Sequence, residues 1–150
     1  MESEGIRERE ETEILTDLDV HEAWANQICR KTEDMPAIDW TKSNYSRMNL
    51  KNRNLSGIDF TGSLMKNCDF TACNLTGVDF TGCNLTGAIF LNAILAQNTF
   101  DGAKLEDIKI DQKNLQLFEN AGIAVNTDQT GPMNISVHRS VLSRKGNTAV

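Results

Sequence analysis

From Trp40 onward a large apolar residue stands at every fifth position: Trp40, Tyr45, Leu50, Leu55, Phe60, Met65, Phe70, Leu75, Phe80, Leu85, Phe90, Leu95, Phe100, Leu105 and Ile110. The run holds fifteen units without a slip. A period of five fits neither an amphipathic helix, which repeats every 3.6 residues, nor a strand, which alternates every 2. A second, mostly smaller series lies two residues earlier and includes Ile38, Ile58, Cys68, Cys73, Val78, Cys83, Ala88, Ala93 and Ala103. Two places after each large residue the sequence often has Gly or Asn, as at Asn52, Gly57, Gly62, Asn67, Gly77, Gly82, Gly87, Asn92 and Gly102. These residues accept positive φ in a tight turn. The pattern predicts short extended pieces, each closed by a corner, with two inward side chains per piece.

The units CDFTA (68–72), CNLTG (73–77), VDFTG (78–82) and CNLTG (83–87) resemble the pentapeptide-repeat family, whose unit reads roughly A(D/N)LXX. The resemblance covers residues 38–112. It implies an all-β fold: a right-handed, quadrilateral, parallel β-helix with the central large residue and the small residue before it pointing inward. Four units per coil would stack residues twenty apart. The central columns then read Trp40, Phe60, Phe80, Phe100; Tyr45, Met65, Leu85, Leu105; Leu50, Phe70, Phe90, Ile110; and Leu55, Leu75, Leu95, Leu115. Two opposite faces become largely aromatic and two aliphatic, so like side chains ladder with little void. Phe60, Phe70, Phe80, Phe90, Phe100, Leu75, Leu85 and Leu95 are the expected structural core. Arg53 and Asn98 are polar at inward positions, and Leu64, Ile89 and Ile94 stand where Asp or Asn is usual.

A stack of coils has open ends, which need caps against solvent and edge pairing. Asp19 and Glu22 resemble a capping box for a helix running to about Lys31, with Val20, Trp24 and Ile28 on one face. At the other end Asp111 is placed to cap a short helix ending at Ala121, with Gly122 as its left-handed stop and Leu115, Leu117 and Phe118 on the last coil. The expected organisation is an acidic disordered arm plus N-terminal capping helix (1–37), the β-helix (38–112), a C-terminal capping helix (113–123) and a flexible or partner-ordered tail (124–150). Residues 1–12 are expected to be disordered, and a short strand is expected within Ile135–Leu142.

Charge changes the picture only once it is apportioned. The formal net charge is -6 over 150 residues, but residues 1–43 carry twelve acids against five bases. Residues 44–115 balance seven acids with seven bases. The acidity therefore belongs to the N-terminal region, and the repeat is neutral. That argues against direct nucleic-acid binding. No apolar run reaches membrane-spanning length and the N-terminus has no signal-peptide core, so a membrane role is not expected.

The chemistry on offer is thin. Cys68, Cys73 and Cys83 are five and ten apart, unlike the short turns of zinc ligands, and the repeat places all three inside as small hydrophobes. Cys29 falls in the first helix. Free core thiols suggest a reducing compartment, hence a cytoplasmic location, with secretion into a host cell as the alternative. Asp59, Asp69 and Asp79 occupy the polar slot of the repeat, where Asp and Asn satisfy corner backbone groups. With two histidines in the chain and neither in the repeat, no enzyme, cofactor or metal is expected. The Asn-x-Ser/Thr triplets at Asn44, Asn54, Asn74, Asn84 and Asn134 read as by-products of the repeat, whose register most of them share.

Ile89 and Leu91 flank Phe90 on one face and Ile94 lies round the next corner, in slots held elsewhere mostly by polar residues. An apolar patch on a polar solenoid marks something that covers it, either the chain's own tail or a partner. Ile89, Leu91 and Ile94 are thus the candidate partner-binding residues of a non-catalytic protein–protein interaction or scaffold module, with homodimerisation as one option. Two alternatives follow from the resemblance. Family members bind bacterial DNA gyrase through an acidic, duplex-like surface and protect it from quinolones or toxins, although this repeat is short and neutral. Other members are secreted bacterial effectors, with which the polar N-terminal arm is compatible.

Overall fold

A computed structural model describes residues 5–27 and 34–120, together with the backbone of 125–126 and 135–137. Its organising element is a parallel ladder in which residues twenty apart bridge: Asn49 to Asp69, Asp69 to Ile89, Ile89 to Lys109, and likewise along three other columns. The extended pieces are so short that each pairs through one bridging residue, so most of this β-structure is isolated bridges rather than strands.

Each unit bonds in the same way. In the unit centred on Phe60, the Phe60 N–H donates to Asp79 O and the Gly62 N–H to Thr81 O, both in the next coil. The Ser63 N–H closes the corner onto Phe60 O at 3.0 Å. This is a type II turn, whose third residue needs positive φ. The corner position is left-handed at every fifth residue from Lys42 to Asp107, by Gly or Asn at most corners and by Lys, Arg, Ala, Gln or Asp at the rest. A glycine is compulsory at few of these corners. The polar slot braces the same turn: Asp59 Oδ1 accepts the Thr61 N–H at 2.9 Å and its hydroxyl at 2.5 Å, and Asp69, Asp79 and Asn84 repeat the arrangement.

The inward side chains fill the coil. Phe60, Phe70, Phe80, Phe90, Leu75 and Leu85 are at most 1% exposed, while Phe100 and Leu95, toward the C-terminal end, reach 6% and 8%. Phe70 and Phe90 stack at 5.1 Å and 8°, Phe80 and Phe100 at 5.3 Å and 9°. Cysteine has a role here beyond its size. The thiols of Cys68, Cys73 and Cys83 donate to the carbonyls of Tyr45, Leu50 and Phe60, each twenty-three residues earlier. Ser63 does the same to Trp40 and Asn98 to Leu75. At Tyr45, Phe60 and Leu75 this adds a second bond to a carbonyl that the corner N–H already uses. Asn98 is therefore a variant of the cysteine position, and its Nδ2 also reaches Val78 O.

The ends differ from the sequence expectation. The first helix, α1, spans Glu11–Ala25, not the segment from Asp19 to Lys31. It buries Ile14, Leu18, His21 and Ala25, whereas Val20 is 46% exposed. Asp19 and Glu22 do not start the helix. They turn to Arg53, with Glu22 Oε1 at 2.7 Å and Asp19 Oδ1 at 3.4 Å from Nη1. The capping-box spacing was outcompeted by the apolar stripe Ile14, Leu18, His21, Ala25, which repeats at helical intervals and packs toward the coil. Residues 5–10 are ordered against the first coil: Arg7 bridges Ser43, so the expected disorder of 1–12 does not hold for its described part. Residues 1–4, Ile28, Cys29 and Lys31 lie outside the described residues.

Beyond the ladder, β1 (Ile108–Ile110) runs into α2 (Gln112–Asn120), where Phe118 is buried and meets the Phe100 ring at 5.2 Å. Leu115 and Leu117 pack against the core from the side. Ala121 and Gly122, the expected end of this helix, are outside the described residues. The strands β2 (Val125–Asn126) and β3 (Ile135–Val137) complete a sheet of order β1-β3-β2, with β3 antiparallel to both neighbours. The strand expected at Ile135 thus pairs with the chain's own last coil, and its stretch beyond Val137 is outside the described residues.

Candidate functional site

The thiols and the polar-slot carboxylates of the repeat are committed to structure. Burial pushes the thiols of Cys68 and Cys83 up to about 12 and that of Cys73 to about 11, against only partial compensation by nearby backbone donors. Such thiols are poor nucleophiles and poor metal ligands at neutral pH. The carboxylates of Asp59, Asp69 and Asp79 are each occupied by a corner threonine. Asp39 follows the same rule, and the Thr41 hydroxyl and N–H hold its carboxyl below the usual range. Among the described residues no three of His, Cys, Asp and Glu come together to hold a metal ion.

What the surface offers is contact area. Ile89 sits mid-column between Asp69 and Lys109, and Ile89 and Leu91 are half-buried. Ile94, on the neighbouring face, is 51% exposed, with Val20 and Met35 the other large exposed apolar side chains among the described residues. The patch is therefore graded, and Ile94 is its most accessible member.

The rims of the coil were not legible in the sequence. At most positions in the complete coils the residue before the central one turns its N–H and C=O toward the preceding coil, with Asp59 and the Thr99 N–H as exceptions; Asp69 donates to Met48 O and accepts from the Leu50 N–H. In the first coil these residues are Asp39, Asn44, Asn49 and Asn54, and no coil precedes them. Substitutes serve three of them. The Arg7 carbonyl accepts the Asn44 N–H at 3.0 Å. The Arg7 guanidinium donates to Asp39 O at 3.0 Å and also to Thr41 O. Glu22 Oε2 accepts the Asn54 N–H at 2.8 Å while His21 Nε2 lies 2.9 Å from Ser56 O. The last coil ends in the same manner: Asp111 Oδ2 accepts the Asn92 N–H at 2.7 Å and Asn114 Nδ2 donates to Ala93 O at 3.2 Å. Side chains stand in for the backbone of coils that do not exist. No short-range signal marks Arg7, His21, Glu22 or Asn114 for this, because each partner lies at least nineteen residues away.

Glu22→Ala removes the acceptor from both Arg53 and the Asn54 N–H. A stability loss of about 1–3 kcal/mol is expected in urea denaturation. An unchanged midpoint would mean that solvent replaces this carboxylate without cost.

A protein-family profile described as pentapeptide repeats matches residues 46–82 and 73–112, in eight copies. Among solved structures, the crystal structure of a pentapeptide repeat protein, Rfr23, from the cyanobacterium Cyanothece 51142 is similar at 21% identity and a TM-score of 0.36, over 50% of this chain. The match spans 64% of that protein's chain, less than two thirds of its length. No curated protein sequence matches.

Proposed function

We propose, from the premise that residues 46–112 are pentapeptide repeats, that this chain is a non-catalytic interaction or scaffold module. Pentapeptide repeats make a right-handed β-helix. In the form proposed here the helix is four-sided, four units to a coil, with α1 and α2 as its caps. The bridges between residues twenty apart support four units, and the packing of Ile14, Leu18 and Phe118 into the core supports the caps.

The observation that carries the functional reading is the use of the repeat's thiols and polar-slot carboxylates by its own architecture. Inward thiols bond carbonyls, outward carboxylates brace corners, and aromatic rings fill the interior. A rigid body with ordered faces remains, and its apolar outliers Ile89, Leu91 and Ile94 form the surface offered to a protein partner. No described helix is long and apolar enough to cross a membrane.

The test is a double charge substitution, Ile89→Glu with Leu91→Glu, on residues that are half-buried but outward. Melting should stay cooperative, and proteins retained by the immobilised wild-type chain should be lost from the variant. Retention of the same proteins by both would overturn the patch as the contact surface.

A further inference from the structure

The first coil leaves a gap in its substituted rim at Asn49. Asn49 alone of the four residues that turn toward a missing coil has neither its N–H nor its C=O bonded among the described residues. Its side chain is engaged in its own corner, with Oδ1 accepting the Lys51 N–H at 3.1 Å. The cause lies in the chain path. Residues 7–10 run along the neighbouring face and then turn into α1 at Glu11 instead of continuing beneath Asn49. A groove is left between the start of α1 and the ladder, lined by Glu8, Glu11 and Ile14 on one side and Arg47, Met48 and Asn49 on the other.

We propose that this groove is filled by residues 138–145 of a second copy of the chain, added as an extra strand on the Asn49 edge. Three observations converge. An unpaired edge takes up an extended segment through main-chain bonds, and pockets beside it select the side chains. The opposite end of the same column already accepts a strand in this way: Lys109 pairs with Ser136 of β3, immediately before the segment in question.

The chemistry also matches. Residues 138–145 place Val141 and Leu142 between Arg139 on one side and Arg144 and Lys145 on the other, with no acid among them. The groove offers the exposed Glu11, and Glu8 beside its bond from Asn44 Nδ2, to the cations, with Arg47 an opposing exposed cation. Ile14 and Met48, 2% and 9% exposed, form its floor, which only one of Val141 and Leu142 in an added strand would face. Arg9, which also lines it, is already taken by Asp17 and Glu13.

Reach assigns the segment to another copy. Asn49 and Lys109 are three ladder steps apart. The groove lies one layer before Asn49 and β3 one layer after Lys109, so they are separated by roughly 24 Å at ~4.8 Å per layer. From Val137 to Val141 an extended chain spans at most about 14 Å. Val141 and Leu142 cannot reach their own groove but can enter that of a copy stacked on the same end. The contact is head-to-tail, so it builds open chains of subunits or closes into a ring.

Sedimentation velocity of the full chain against concentration is the first measurement, with a single chain at 16.7 kDa. The expected result is concentration-dependent growth beyond that mass, weakened about tenfold by Arg144→Glu with Lys145→Glu and equally by Glu11→Lys. The second is fluorescence anisotropy with a labelled synthetic peptide of residues 138–145 as the probe. Saturable binding to the full chain, lost in Asn49→Pro when that variant still melts as wild type, supports the edge as the site. Peptide binding unaffected by both Glu11→Lys and Asn49→Pro would place the segment elsewhere and overturn the proposal. A single-chain mass at every attainable concentration would overturn it as well.

Discussion

Phe80→Ala lowers stability by about 3–5 kcal/mol, the range for emptying a buried aromatic site that cannot collapse. Phe80 is fully buried. It stacks on Phe60 at 6.1 Å and on Phe100 at 5.3 Å, and its edges meet Phe70 at 5.8 Å and Phe90 at 5.9 Å. Four rings on two faces lose a partner at once. The coils above and below are held apart by backbone bonds such as Phe80 N–H to Thr99 O, so the space cannot close. Urea denaturation measures the loss. A change below about 1 kcal/mol would mean that the Phe60–Phe80–Phe100 column is not packed as described.

The second large effect is alkaline. Cys68, Cys73 and Cys83 keep their protons in the folded chain to about 12, 11 and 12, whereas the unfolded thiols ionise near their ordinary value of 9.0. Their folded values are raised, so the unfolded state releases protons first. Stability is fully present below pH 9 and is lost as pH climbs from there toward 12. At about pH 11 the loss amounts to roughly 2–3 kcal/mol per thiol. The Tyr45 phenol, also pushed up by burial, acts in the same direction. Replacing the three cysteines by serine separates the two contributions. Serine keeps the donor that Ser63 already uses toward Trp40 O but does not titrate in this range. Urea midpoints that fall equally steeply with pH in wild type and triple variant would remove the thiols as the cause.

The ladder was legible because its period is repeated on every side of the coil. A residue such as Phe80 or Leu75 is fixed by neighbours twenty positions away on both sides, and that spacing is written in the chain as a column. The ends lack this redundancy. Asp19 and Glu22 have the spacing of a helix start but serve Arg53 and Asn54, which lie more than thirty residues further on. The stripe Ile14, Leu18, His21 and Ala25 outweighs them because it has a core to meet. The apolar outliers Ile89, Leu91 and Ile94 were legible as exceptions to a rule, whereas the Asn49 edge was not. An open edge is defined by what fails to lie beneath it, and Asn49 itself reads like any other asparagine of the polar slot.

The twenty-residue ladder also sets how this protein can change length. One inserted residue would turn every later inward side chain out of register. Five would keep inside and outside but rotate the later columns by one face, setting aromatic rows such as Phe60–Phe80 over aliphatic ones such as Leu55–Leu75. Only twenty would preserve every column. The gene of such a protein can therefore drift in substitution at outer positions that brace no corner, yet its length is quantised: it grows or shrinks by whole turns.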